Sequence, residues 1–316
     1  MIGNARRNRP PAQEHIVNFI VLFLMLFGLQ SSLLAEPFPV SLSDALGRQT
    51  TLDKVPMRII SLAPSNTEIL FALGLGDRVV GVTDYCDFPA EALTRTKIGG
   101  FSNPNLEQIV SLSPDLVLAA RFNPIEVLDA LHELGFPVFA LAPSTLDEAL
   151  QTVEQIGQLT GSKPESLELL IRLRERVAHV EAVVRKIPSD ERPKILWGQL
   201  KAPMYSAGPG SFIHDLVTRA GGQNIAADTG AAWPQLGLET LVTRNPDIII
   251  VSGQDSVSIR KSVKRLRQVA GWNSIAAIVT GKVYEISLDL LGRPGPRLVS
   301  GLESLASLLH PEKFTR

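Results

Sequence analysis

Short blocks of apolar residues alternate with amphipathic segments along the chain, a pattern typical of parallel strands joined by helices. In the first half, a hairpin is predicted over 37–57, with Gly47 at its turn. The strands predicted after it are 58–62, 79–82, 116–119 and 138–141, and the helices are 67–73 and 125–134. Short strands that are apolar throughout favour a parallel sheet with helices on its faces.

A 15-residue pattern occurs twice in the chain. Residues 105–119 read NLEQIVSLSPDLVLA, and residues 237–251 read GLETLVTRNPDIIIV. In both copies a short helical segment carries an early Glu, ends at Pro-Asp and leads into an aliphatic strand. The other elements predicted in the second half are strands at 194–197 and 283–286 and helices at 212–220 and 297–309. The repetition predicts an α/β fold of two Rossmann-like lobes with mostly parallel sheets and a ligand cleft between them.

One long helix is predicted between the two halves. Ser162-Lys-Pro-Glu165 has the form of a capping box, with Pro near the helix start. A continuous apolar stripe follows at three- and four-residue intervals, formed by Leu170, Leu173, Val177, Val180, Val184 and Ile187. A helix over 165–187 would be about 35 Å long. The predicted organisation is a lobe at 36–161, a connecting helix at 162–188 that limits lobe motion to small rocking, and a lobe at 189–316.

Residues 1–35 have the layout of a cleavable signal peptide. Arg6, Arg7 and Arg9 precede an apolar run over 16–29, and a cut is predicted after Ala35. The alternative is an uncleaved membrane anchor, because the apolar run approaches a spanning length. The expected location is the periplasm.

Composition and motifs argue against several classes of function. The net charge is −1, which gives no support for nucleic-acid binding. The histidines after the leader lack the spacing of a metal site; they are His132, His179, His214 and His310. Gly74-Leu-Gly76 and Gly208-Pro-Gly210 do not complete a dinucleotide-binding loop. The expectation is a binding protein without metal or cofactor, with an enzyme on a doubly wound fold as the rival.

The stretch RIISLAPSNTEILFALGLGDRVVGVTDYCDFP, at 58–89, resembles the iron-siderophore/cobalamin periplasmic-binding domain of ABC importers. The resemblance continues through NPNLEQIVSLSPDLVLA, WPQLGLETLV and GRPGPRLVSGLESLA, so it covers nearly all of the chain after the leader. It implies a monomer with two α/β lobes and one long helix, which delivers a small molecule to a permease dimer with ATPase subunits. TDYCDFP, AAWPQ and RPGPR look most similar to cobalamin-binding members.

Candidate ligand contacts lie on loops that should face each other: Tyr85 follows the strand at 79–82, at the end where parallel sheets bind ligands, and Phe101 and Trp233 lie just before the two copies of the repeated pattern. Tyr85, Phe101 and Trp233 offer flat surfaces suited to a corrin macrocycle, and by resemblance Met204 or Tyr205 joins them. The polar candidates for ligand side arms are Arg121, Asp289, Arg293 and Arg297. Alternatively, Arg297 caps the final helix or pairs with Asp289. Cobalamin binders of the family often carry an aromatic residue directly after the strand at 116–119, where this chain has Ala120.

Glu107 and Glu239 match the positions that, by resemblance, dock into arginine pockets of the permease. The alternative is that each Glu stabilises its own helix start. The expected ligand is cobalamin or a related corrinoid. A ferric siderophore or haem is the alternative, because the arginines suit an anionic complex and Tyr85 or Tyr205 suits haem iron.

Overall fold

The computed structural model describes residues 38–253 and 255–314. The predicted signal peptide lies outside these residues. Within them, no helix combines the length and the apolar character that crossing a membrane requires.

The N-terminal lobe is built on a five-stranded parallel sheet with strand order β5-β4-β3-β6-β7. A hairpin precedes it, as predicted, with Gly47 in the left-handed conformation at the turn. The elements are β1 (Val40–Ser43), β2 (Gln49–Leu52), β3 (Ile59–Ser61), α1 (Pro64–Ala72), β4 (Val79–Val82), β5 (Thr96–Lys97), α2 (Leu106–Ser111), β6 (Leu116–Ala120), α3 (Ile125–Glu133), β7 (Val138–Leu141) and α4 (Leu146–Thr160). Helix α1 begins three residues before the predicted start, because Pro64 fits the first helical position without losing a hydrogen bond.

The connecting helix α5 spans Lys163–Val184, about 33 Å at 1.5 Å per residue. Every member of the predicted apolar stripe is buried, including Ile187 just beyond the helix end. The predicted capping box is wrong, because the Ser162 side chain makes no capping hydrogen bond. Helix α4 ends at Gly161 in the left-handed conformation, and the chain turns at once into α5. Ser162 therefore lies outside the extended conformation from which a cap side chain reaches the first helical turn.

The C-terminal lobe repeats the topology of the first. Its parallel sheet has the order β10-β8-β12-β13, which corresponds to β4-β3-β6-β7, and β9 pairs with β11 in an antiparallel ribbon. The elements are β8 (Lys194–Trp197), β9 (Met204–Tyr205), α6 (Phe212–Arg219), β10 (Gln223–Asn224), β11 (Gln235–Leu236), α7 (Leu238–Arg244), β12 (Ile248–Val251), α8 (Ser256–Leu266), α9 (Ala276–Thr280), β13 (Val283–Glu285), α10 (Leu288–Leu291) and α11 (Leu298–Leu309). The predicted fold class is confirmed.

The repeated Pro-Asp has the same structural role in both lobes. The Asp115 carboxylate accepts the backbone N–H of Arg58 at 2.7 Å, and the Asp247 carboxylate accepts that of Lys194 at 2.8 Å. Each aspartate thus fixes the start of the first strand of its sheet. Ser113 and Asn245, two residues earlier, share a left-handed conformation with φ of 45° and 44°. The sequence repeat therefore extends to the backbone path.

One hydrophobic core runs through both lobes. It joins buried residues of the N-terminal sheet, such as Leu118, to Leu173 and Val177 of α5 and to Leu216 and Leu302 of the C-terminal lobe. Two further clusters each belong to the outer face of one sheet. Because interiors pack densely, a core shared across α5 resists movement of one lobe against the other.

Candidate ligand-binding cleft

A cavity of about 170 Å³ lies between the lobes at the carboxyl ends of the strands, and we call it the inter-lobe cavity. The N-terminal lobe contributes Phe101, Arg121 and Phe122, and the C-terminal lobe contributes Phe212 and Arg293. Phe122 is 62% exposed and supplies an aromatic side chain two residues after Ala120. Phe122 was not predicted as a site residue, because an isolated exposed aromatic residue produces no periodic pattern in the sequence.

Asn123 positions the N-terminal wall of this cavity. Its buried side-chain amide donates to the carbonyl oxygens of Leu62 at 3.0 Å and Phe101 at 2.9 Å. Its side-chain oxygen accepts the N–H of Ala120 at 2.7 Å. One side chain thereby holds three loops in register, and this places Phe101 beside Arg121.

A second cavity, of about 540 Å³, lies within the C-terminal lobe; we call it the C-lobe cavity. The β9–β11 ribbon pairs Tyr205 with Gln235 and so brings the loops carrying Tyr205 and Trp233 together. Met204 also lines this cavity, but its side chain is buried in the core of the lobe. The exposed aromatic surface in the C-lobe cavity therefore comes from Tyr205, 67% exposed, and Trp233, 38% exposed.

Three aromatic rings connect the two cavities. Trp233 lies edge-on to Trp197, with ring centroids 6.1 Å apart, and edge-on to Phe212 at 6.3 Å. Phe212 lines the inter-lobe cavity, while Trp197 and Trp233 line the C-lobe cavity. Edge-to-face packing of this kind is favourable and keeps the rings in fixed orientations. Neither Trp197 nor Phe212 was among the predicted ligand contacts.

Two of the three arginines predicted to contact ligand, Arg293 and Arg297, are engaged in an ion-pair cluster that joins the lobes. Glu68 of α1, with 2% of its side chain exposed, accepts hydrogen bonds from Arg297 at 2.6 and 2.9 Å. Arg293 contacts Glu68 at 3.5 Å, Asp87 at 2.5 Å and Asp289 at 2.8 Å. We call these five residues the cleft cluster. Three carboxylates surround two guanidinium groups, so the cations are neutralised within the protein.

The cleft cluster lowers the pKa of Asp87. The hydrogen bond from Arg293 holds the pKa of Asp87 below its ordinary value of 3.8. The guanidinium of Arg297 lies over the Phe88 ring at 4.0 Å, a cation–π contact that also crosses from one lobe to the other. Neither Glu68 nor Asp87 was found from sequence, because their partners lie more than 200 positions away along the chain.

The remaining predicted contacts are exposed. Tyr85 is 61% exposed in the loop that leads to Asp87. Arg121 is exposed, has its guanidinium 6.0 Å from the Phe122 ring, and forms no ion pair within residues 38–253 and 255–314. The same part of the chain holds no group of three or more potential metal ligands.

Glu107 and Glu239 occupy equivalent positions in the two lobes. Each is exposed in the first turn of its helix, α2 or α7, directly after the first helical residue. Neither forms an ion pair with another described residue. Both carboxylates are therefore available at the surface.

The chain belongs to the periplasmic binding protein family, whose model matches residues 59–290. An uncharacterized ABC transporter substrate-binding lipoprotein of Bacillus subtilis is 34% identical, over 88% of each chain. A cobalamin-binding protein of Halobacterium salinarum is 32% identical, over 86% of this chain and 74% of its own length. The structure of a periplasmic heme-binding protein from Roseiflexus has a TM-score of 0.71 at 28% identity, covering 81% of this chain and 98% of its own.

The family and these relatives are solute-binding proteins, not enzymes. The chain is thus the solute-binding component of an ABC transporter. That agrees with the expectation from sequence and excludes the enzyme that was its rival.

Proposed function

We propose that the protein captures cobalamin or a related corrinoid between its lobes and delivers it to the permease of an ABC importer. The cobalamin-binding relative of Halobacterium salinarum supports this ligand class. The shape of the cleft also supports it, because Phe101, Phe122, Tyr205 and Trp233 offer flat apolar surface on both walls.

The observation that carries the proposal is the neutralisation of Arg293 and Arg297 within the cleft cluster. An anionic ferric siderophore or the two propionates of haem would need free cations, and these guanidinium groups already hydrogen-bond to carboxylates. Displacing them would leave Glu68 buried without a partner, which is costly. The amide side arms of a corrin carry no charge and need no such exchange.

Haem, or a ferric siderophore, is the second candidate. Arg121 at the inter-lobe cavity and Lys201 at the C-lobe cavity are exposed and form no ion pair within the described part of the chain. Tyr205 presents a hydroxyl that would suit ferric iron. Similarity to the heme-binding protein from Roseiflexus supports this alternative.

Titration of the purified protein with cyanocobalamin, haem and a ferric hydroxamate siderophore tests the ligand class. We expect a saturating response to cyanocobalamin alone, followed by absorbance of the bound corrin or by calorimetry. Saturation by haem or the siderophore without cyanocobalamin would replace the proposal with its alternative.

Docking is proposed to use Glu107 and Glu239, which would pair with arginines of the permease dimer while ATPase subunits drive transport. Bidentate contacts between arginine and carboxylate are strong and fix orientation. We expect the double substitution Glu107→Gln and Glu239→Gln to abolish ligand uptake by cells while leaving ligand affinity unchanged. Glu126→Gln is the control, since Glu126 is also exposed in the first turn of an N-lobe helix. Normal uptake by the double variant would contradict this role.

A further inference from the structure

Two residues in the wall of the C-lobe cavity carry a buried hydrogen-bond donor that has no partner among residues 38–253 and 255–314. These donors are the indole Nε1 of Trp197 and the hydroxyl of Ser252, and both residues line the cavity. A buried donor left unpaired is costly, so folded proteins rarely keep one without a reason. Indole nitrogen can only donate, and a serine hydroxyl donates readily. Two residues of the cavity wall therefore carry an unused hydrogen-bond donor.

The other two unpaired buried atoms within the described residues have an ordinary explanation. They are Arg48 Nη1 and Arg95 Nε. Each belongs to a guanidinium group that bonds through another nitrogen, to Asp129 for Arg48 and to Asp77 for Arg95. Trp197 has one polar side-chain atom and Ser252 has one, so neither side chain has such a second contact.

The two donors lie at the same edge of the C-terminal sheet. Strands β8 and β12 run parallel, with Trp197 opposite Ile250, and Ser252 directly follows the last residue of β12. Carboxyl ends of parallel strands are where such sheets bind ligands. Trp197 is also oriented by its edge-on contact with Trp233. The donors are thus held on rigid elements, beside the aromatic surface proposed to contact the ligand.

The rest of the cavity wall defines which kind of acceptor these donors bind. No Asp or Glu lines the cavity, while Gln199, Lys201 and Gln235 do. Such a wall would repel a cationic group weakly and favours an oxygen atom that accepts hydrogen bonds. Amide carbonyls and carboxylates share that chemistry.

We propose that Trp197 Nε1 and Ser252 Oγ form a subsite that binds an acceptor oxygen at the edge of the ligand, whose flat face lies against Trp233. This inference rests on the proposed function for the cleft. In a corrin the acceptor is the carbonyl oxygen of an amide side arm. In haem it would be a propionate carboxylate. The subsite hydrogen-bonds to a group on the periphery of the ring, while the aromatic side chains contact the face of the ring.

The test compares Trp197→Phe and Ser252→Ala with the wild type in titrations with cyanocobalamin, haem and a ferric hydroxamate siderophore. Each substitution removes one donor and keeps most of the side-chain shape. Loss of a hydrogen bond to a neutral oxygen weakens affinity about 3- to 10-fold, and loss of one to a carboxylate about 10- to 100-fold. We expect the smaller loss, with cyanocobalamin. Trp272→Phe is the control, because Trp272 is buried in the core of the same lobe and does not line the cavity.

The outcomes separate this inference from the proposed function. If cyanocobalamin binds and both variants match the wild type, the subsite is wrong and the ligand class stands. If haem alone binds and each variant loses 10-fold or more, the subsite stands and the corrin proposal fails. The inference is overturned if the variants and the wild type bind each of the three ligands equally well. The midpoint of thermal unfolding is measured for both variants and the wild type. Similar midpoints show that a loss of affinity comes from the subsite and not from a loss of stability.

Discussion

Glu68 is a buried carboxylate, and its only ionic partners in the described part of the chain are on the other lobe. Arg297 and Arg293 approach it from the segment before α11, and no other described cation lies within ion-pair distance. Burial of a carboxylate this deep in the protein is costly unless charged partners compensate it. The cleft cluster is therefore a structural contact between lobes as well as part of the cleft wall.

Glu68→Gln tests the strength of that contact. We expect the free energy of unfolding to fall by about 2–3 kcal/mol, because two guanidinium groups lose a buried counter-charge. Urea denaturation followed by circular dichroism measures the change. Glu168→Gln is the matched control, since Glu168 pairs with Arg172 on the exposed face of α5 and such a pair contributes about 0.5 kcal/mol or less. Equal effects of the two substitutions would contradict a structural role for Glu68.

Asp87 makes stability depend on pH at the acid end. Its pKa is lowered in the folded protein by the hydrogen bond from Arg293, so the folded state favours the charged form. The contribution is present above the unfolded pKa, near 3.8, and is lost as the pH falls through the folded pKa. We expect the stability difference between wild type and Asp87→Asn to shrink on acidification from pH 6 to pH 3. A difference that stays constant over this pH range would contradict the contribution of the hydrogen bond from Arg293.

At the level of single residues, the positions of the aromatic candidates could be predicted better than the partners of the charged ones. Phe101 and Trp233 are predicted on cleft loops because each comes just before one copy of the repeated pattern, and in the structure Phe101 lines the inter-lobe cavity and Trp233 the C-lobe cavity. Arg297 is predicted to contact the ligand or, alternatively, to cap the final helix or pair with Asp289, and this alternative is wrong, because Asp289 pairs with Arg293 and the Arg297 side chain makes no capping hydrogen bond. Glu68, which both arginines contact, is 225 to 229 positions away, and no local pattern indicates a contact of that range.

At the scale of elements, Arg219 of α6 joins the two lobes to the connecting helix. It contacts Asp147 at the start of α4, Glu181 of α5 at 2.6 Å and Asp215 of its own helix at 3.0 Å. Burial opposes its charge, but the hydrogen bonds with Asp215 and Asp147 outweigh burial and raise the pKa of Arg219. Asp215 also accepts the N–H of Leu146 at 2.8 Å, so a C-lobe side chain caps an N-lobe helix.

Arg219→Ala should destabilise the protein by about 2–3 kcal/mol, because it leaves three carboxylates near one another without their shared cation. Differential scanning calorimetry measures the shift in the unfolding transition. Arg174→Ala serves as the control, since Arg174 is exposed on α5 and forms no ion pair among the described residues; a change within about 0.5 kcal/mol is expected there. A similar loss for both variants would show that Arg219 acts through helix propensity alone.

Most elements could be predicted because apolar runs and helical periodicity are local signals. The bounds of β4, β7, β8 and β12 agree with the runs at 79–82, 138–141, 194–197 and 248–251. The β9–β11 ribbon could not be predicted, because each strand has two residues and its pairing joins segments about 30 positions apart. That ribbon brings the loops carrying Tyr205 and Trp233 together, so this part of the candidate site could not be predicted either.

For the whole molecule, three connections limit the movement of the lobes. Helix α5 is buried along one stripe in a core that both lobes share. Arg219 ties α6 to α4 and α5 on the side of the connecting helix. The cleft cluster ties α1 to the segment before α11 at the cleft. Because these contacts lie on two sides of the interface, hinge opening would have to break at least one of them.

Because these three connections limit the movement of the lobes, we expect ligand binding to change the distance between the lobes very little. Spin labels at Glu91→Cys and Lys264→Cys report that distance, since both positions are exposed and one lies in each lobe. Cys86 is buried and should not react. We expect saturating ligand to shift the mean distance by less than about 2 Å, the scale of preorganised binding proteins. Glu68→Gln in the same labelled protein should broaden the distance distribution, because it removes the contact at the cleft while α5 and Arg219 remain. A large shift on ligand binding in the labelled protein with Glu68 intact would contradict this expectation. It would show that the lobes move as separate bodies despite their shared core.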